Sequence, residues 1–78
     1  EEVAFQRMDR RVAALLLDRA ELHNPVVMTH QEIAAELGSS REVVSRILED
    51  FDHAGVVRTR RGTIEILDVG GVRTRADG

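Results

Sequence analysis

Seventy-eight residues make one small domain, near the lower limit at which a single apolar core holds together without staples. Apolar residues are 42% of the chain and charged residues 32%, the balance of a soluble globular domain, and with no cysteine neither disulfides nor cysteine-ligated metals can support it. The formal net charge of −3 excludes a broad basic field, so any contact with a polyanion has to come from a few placed groups.

Residues 3–20 read as the first helix, because Phe5, Met8, Val12, Leu15 and Leu16, with Leu22 as an extension, recur at intervals of three and four. Glu1 and Glu2 stand at its start, where negative charge suits the helix dipole. Asn24-Pro25 is expected to end it, since the residue before proline is pushed away from helical angles. Val26, Val27 and Met28 form an apolar run long enough for one short strand.

Thr29 then opens a capping box with Glu32, and Ile33, Ala34 and Leu37 supply the buried side of a two-turn helix. Gly38 suits the left-handed position after its end. A second capping box is expected at Ser39 and Glu42, opening a third helix over residues 40–53. On that helix Val44, Ile47, Leu48 and Phe51 fall on one side with Val43 at the margin, and Arg41, Glu42, Ser45, Arg46 and Glu49 fall on the other. Two helices joined by so short a turn must cross steeply, the layout of a helix-turn-helix.

Gly55 closes the third helix. The segments 56–59 and 63–67, joined through Arg60-Arg61-Gly62, read as a β-hairpin with Ile64 and Ile66 facing inward. From Asp68 the chain has Gly70-Gly71 and little apolar material, and residues 69–78 are expected to form a frayed tail. The reading is therefore a winged helix-turn-helix over residues 1–68: mostly α, a three-helix core, and a small antiparallel β-hairpin wing that shields its open end.

Charge is distributed unevenly. Residues 55–78 hold five arginines (58, 60, 61, 73 and 75) against Glu65, Asp68 and Asp77, whereas residues 24–54 hold Arg41 and Arg46 against six acids. Arginine can donate two parallel bonds to guanine O6 and N7, and glutamate can accept from cytosine N4. Arg41, Glu42, Ser45 and Arg46 present such groups at the leading end of the third helix and are candidate base readers. Hydroxyls and amides at helix starts favour a phosphate, which marks Thr29, Ser39 and Ser40 as candidate backbone contacts, with Arg58, Arg60 and Arg61 on the wing. Glu49, Asp50 and Asp52 oppose both DNA and the helix dipole and are assigned to the half of the helix that leaves the groove.

Other chemistries find little support. His23, His30 and His53 lack metal-ligand spacing, and no phosphate-binding glycine loop or nucleophile–base motif is present, so neither a metal site nor an enzyme is expected. No signal peptide is recognisable and no apolar run can cross a bilayer, which points to the cytoplasm and away from membranes. The chain opens on Glu1 without a methionine, as expected of a segment cut from a longer protein or of a processed chain.

The words THQEIAAELGSSREVVSRIL and GVVRTRRGTIEILD, over Thr29–Asp68, closely resemble the C-terminal DNA-binding domain of the Crp/Fnr family of bacterial transcription regulators. The first helix fits more loosely, and the last ten residues carry no family signal. The resemblance implies double-stranded DNA as partner, base reading at Arg41, Glu42, Ser45 and Arg46, and backbone contacts near Thr29, Gln31, Ser40 and the wing. Arg41-Glu42 with Arg46 resembles readers of TGTGA-type half-sites, and Glu42-x-x-Ser45-Arg46 readers of TTGA-type half-sites. A central TGA core is common to both.

The same resemblance implies an effector-sensing β-barrel and a dimerisation helix outside this segment, a homodimer in the longer protein, RNA polymerase as a candidate further partner, and no cofactor in the segment itself. The rival reading is a winged-helix module that binds protein, which would need an exposed apolar patch where the arginines stand. A first helix acting as an oligomerisation seam is a third.

Overall fold

The computed structural model describes residues 2–78, with side chains from residue 7 onward. Among them the elements run α1 (Glu2–Ala20), α2 (His30–Leu37), α3 (Arg41–His53), β1 (Val57–Arg60), β2 (Thr63–Ile66) and α4 (Val69–Asp77). This is the winged helix-turn-helix that the sequence implies, with one helix more. No helix among the described residues is long and apolar enough to cross a membrane.

The core forms where the apolar stripes converge. Val12, Ala13, Leu15 and Leu16 of α1 are buried, as are Ile33 and Ala34 of α2 and Val44, Ile47, Leu48 and Phe51 of α3. Met8, Leu37 and Val43 pack at its margin. Phe5, Glu1 and Glu2 lie outside the described side chains. Leu22 does not extend the stripe, because α1 stops at Ala20 and Leu22 is 85% exposed in the turn beyond.

The hairpin closes the core from the other end. β1 and β2 are antiparallel, with Val57 opposite Ile66 and Thr59 opposite Ile64, and the inward residues Val57, Ile64 and Ile66 are buried. The run 26–28 contributes a single bridge rather than a strand: Val26 exchanges two 2.8 Å backbone bonds with Ile64. Asn24 does not end α1, which stops four residues earlier. Its carboxamide instead continues the sheet edge, accepting from the Ile66 amide at 3.0 Å and donating to the Ile66 carbonyl at 3.2 Å.

Gly55 ends α3 at φ 80°, with its own amide donating to the Asp52 carbonyl (2.9 Å) and the Val56 amide to the Phe51 carbonyl (3.1 Å). This is a Schellman closure whose accompanying apolar pair, Phe51 and Val56, is buried.

The frayed tail expected after Asp68 is instead α4, packed along α1. Gly70 and Gly71 each cost a helix about 1 kcal/mol relative to alanine, which is why the segment reads as a tail. Tertiary contacts supply what propensity lacks. Asp68 caps the helix by accepting from the Gly71 amide at 3.1 Å, Val72 is fully buried, and the Arg75 guanidinium stands 5.6 Å from the centre of the Phe51 ring.

The two glycines are not equivalent. A Cβ on Gly71 would fall 2.5 Å from Val56 Cγ1 and 2.9 Å from Asp68 Oδ2, whereas one on Gly70 would meet only Asp68 Oδ1 at 3.5 Å. Gly70→Ala should therefore stabilise the domain by about 0.5–1 kcal/mol. Gly71→Ala should destabilise it by about 1–3 kcal/mol through overpacking. Urea unfolding of the two variants checks this, and matching midpoints would mean that α4 is not packed as described.

Candidate nucleic-acid interface

The helix-turn-helix is built from two caps and one left-handed glycine. Thr29 Oγ1 accepts from the Glu32 amide at 3.0 Å while the Thr29 amide donates to Glu32 Oε1 at 2.8 Å, the expected capping box. Gly38 stands at φ 70°, ψ 35°, and the Ser39 amide donates back to the Ala34 carbonyl at 2.9 Å.

That last bond explains a correction: the cap of α3 is Ser40, not Ser39. Ser39 still belongs to the end of α2, whereas Ser40 is extended and its Oγ accepts from the Val43 amide at 3.2 Å. The shift by one residue puts Val43 at the third helical position, where it has no group to reach back, so a second capping box does not form. The Glu42 carboxylate is left on the surface, 3.7 Å from Arg41 Nη2.

On α3 the faces separate as the helical wheel predicts. Val44, Ile47, Leu48 and Phe51 are buried, while Arg41, Glu42, Arg46 and Glu49 are exposed. Ser45 is half-buried, between the two faces. In the hairpin, Arg60 closes β1 opposite Thr63, so the turn is Arg61–Gly62 alone, with Gly62 at φ 79°. Arg58 pairs across the strands with Glu65 at 4.0 Å.

An open groove of about 450 Å³ runs between the start of α2, the outer side of α3 and the hairpin turn. Thr29, Gln31, Arg41, Arg60 and Arg61 line it, so residues far apart in sequence share one concave surface. Glu49 lines it as well, whereas Arg58, in its cross-strand pair, Ser39, half-buried in the turn, and Ser40, Glu42, Ser45 and Arg46 are not among its lining residues. No group of three metal-ligating side chains is placed to hold an ion among the described residues.

Two residues at this surface have roles that sequence reasoning misses. His30, at the first position of α2, places Nδ1 2.8 Å from Ser45 Oγ and Nε2 2.9 Å from Thr59 Oγ1. Asp52 Oδ2 accepts from the Thr59 amide at 2.9 Å. Thr59 thus ties the wing to α2 by its side chain and to α3 by its backbone, which gives Asp52 a structural purpose. Neither link has a local signal, since the partners lie 7 to 29 positions apart.

Burial holds the His30 imidazole below its ordinary value; Glu49 pulls it up and Arg41 pushes it further down. A depressed folded value means that the unfolded chain takes up this proton first as pH falls. The stability from a neutral His30 is full above about pH 6.5 and is lost as pH falls from there through the folded value. Measured between about pH 7.5 and 5, the stability of the parent relative to His30→Gln should decline. A difference that stays flat over that range would contradict the assignment.

A family model for the Crp-like helix-turn-helix domain matches residues 10–75, which extends the likeness into α1 and α4. The chain is 35% identical over 85 aligned positions to the transcriptional regulator SdrP of Thermus thermophilus, spanning 99% of this chain and 42% of that protein. It is 41% identical over 68 positions to the cyclic AMP receptor protein of the same organism, spanning 85% and 32%. Among solved structures, the Thermus thermophilus catabolite activator protein superposes with a TM-score of 0.87 at 35% identity, over 97% of this chain and 37% of that one. A CRP/FNR-family transcriptional regulator, also from Thermus thermophilus, gives 0.85 at 32% identity, over 97% and 43%. The chain therefore spans less than half the length of each of these relatives. With a matched region that runs through all four helices and the wing, the chain belongs to the Crp-like helix-turn-helix family.

Proposed function

We propose that this chain is the DNA-reading head of a transcription regulator, with α3 seated in the major groove and the hairpin turn along the phosphate backbone. The observation that carries the reading is the division of α3. One side is locked into the core, and the other exposes Arg41, Glu42 and Arg46, of which Arg41 lines a groove together with Arg60 and Arg61. Guanidinium and carboxylate groups on such a face suit guanine and cytosine edges, while the caps and wing arginines suit phosphate.

Thr29, Gln31, Ser40, Arg60 and Arg61 are the backbone contacts in this reading, with Ser39 and Arg58 as peripheral members. Arg41, Glu42, Ser45 and Arg46 read a half-site with a TGA core. Two such heads, carried by a dimer of a longer protein, would enter successive major grooves of a pseudo-palindromic operator with half-sites about 10–11 base pairs apart. A protein-docking role for the same face is disfavoured because charged residues cover it. Among the described residues the exposed large apolar side chains, Leu22, Val27, Leu67 and Val69, all lie outside α3.

Selection of bound sites from random DNA tests the reading directly, and enrichment of no common sequence would sink it. Against the selected site, Arg46→Ala should cost about 1–3 kcal/mol and relax preference at one base position. Arg60→Ala should weaken all sequences alike and flatten the salt dependence by about one phosphate contact. An unchanged salt slope would remove the wing from the interface.

A further inference from the structure

His30 is not one of the proposed readers, yet it holds one of them and the wing at the same time. Its two ring nitrogens lie 2.8 Å from Ser45 Oγ on α3 and 2.9 Å from Thr59 Oγ1 on β1. The Thr59 amide is fixed in turn by Asp52 at 2.9 Å. A ring held at both nitrogens and half-buried between three elements cannot turn without breaking a bond.

The chemistry of the imidazole makes this more than a brace. In its neutral form, which burial favours here, one nitrogen donates and the other accepts. With the proton on Nδ1, the ring donates to Ser45, and the serine's own proton remains for a base acceptor such as guanine O6 or N7 or thymine O4. With the proton on Nε2, the ring accepts from Ser45, and only lone pairs remain to meet a donor such as adenine N6 or cytosine N4. A serine hydroxyl without such a partner rotates to suit either kind of base.

We propose that His30 is a specificity-determining positioning residue: by gripping Ser45 and Thr59 together it fixes the place of the Ser45 hydroxyl at the base it faces, couples that hydroxyl's donor or acceptor role to the ring's tautomer, and sets the wing in register with α3. The inference rests on the DNA-reading assignment of α3.

Two conservative replacements separate the two arms. An asparagine amide reaches to about the position of Nδ1 and can still engage Ser45, but it falls short of Thr59. A glutamine amide reaches to about the position of Nε2 and can engage Thr59, but it has no polar group beside Ser45. Random-sequence selection is run on the protein, on His30→Asn, on His30→Gln and on Ser45→Ala, which identifies the base position that depends on Ser45. At that position His30→Gln should lose about two- to ten-fold of the preference, as one hydrogen bond warrants, while His30→Asn keeps it. Preference at the positions set by Arg46 should be unchanged in both. Amide exchange at Thr59 should show the reverse order, faster in His30→Asn than in His30→Gln.

Equal behaviour of the two variants, or a loss spread evenly over all base positions, overturns the inference while leaving the DNA-reading assignment in place. A parent protein that selects no sequence overturns that assignment and the inference with it.

Discussion

Four side chains of α3, Val44, Ile47, Leu48 and Phe51, are the point at which the domain holds together. α3 packs against α1, α2 and β1, and its Phe51 ring also receives Arg75 from α4. A domain of this size is stable by about 4–12 kcal/mol in total. Truncating a buried leucine or isoleucine costs about 2–5 kcal/mol, so a single change on this face consumes much of the whole. Substitutions on the opposite, solvent-facing side of a helix usually move stability by no more than about 0.5 kcal/mol. One helix thus carries a side that cannot vary and a side that can change without loss of the fold.

The parts legible in the sequence are those whose cause is local. The apolar spacing of α3, the Thr29–Glu32 box, the left-handed Gly38 and the alternation of Ile64 and Ile66 all act within a few residues. What stayed hidden depends on contacts made only after folding. α4 carries two glycines and one buried valine, and its helicity follows from Asp68, Val72 and the seat of Arg75 on Phe51. The cap of α3 differs by one residue because the Ser39 amide is drawn to Ala34, a competition between two adjacent serines that spacing alone cannot decide. His30 and Asn24 bond to residues far along the chain, so a reading of metal spacing or proline turns gives no sign of them. For the site, the candidate readers on α3 were visible as a face. The groove that gathers Thr29, Gln31, Arg60 and Arg61 beside Arg41 was not.

Electrostatics at this surface are local by necessity. The chain carries −3 overall, and every one of its eleven cationic side chains is an arginine. A guanidinium keeps its charge across physiological conditions and offers a planar fork, which suits a domain that relies on few contacts rather than a field. Of the three acids of α3 that look unfavourable in sequence, Asp52 holds the Thr59 amide; elsewhere Glu65 faces Arg58, and Glu36 pairs with Arg19 between α2 and α1.

The carboxamide of Asn24 has a consequence beyond the geometry of the sheet. A two-stranded ribbon presents two rows of backbone groups able to recruit strands from other molecules. Here the outer row of β2 is occupied at Ile64 by Val26 and at Ile66 by Asn24, and on β1 the Thr59 amide is occupied by Asp52. The hairpin can stand at the edge of the domain without offering those positions as a template for edge-to-edge aggregation.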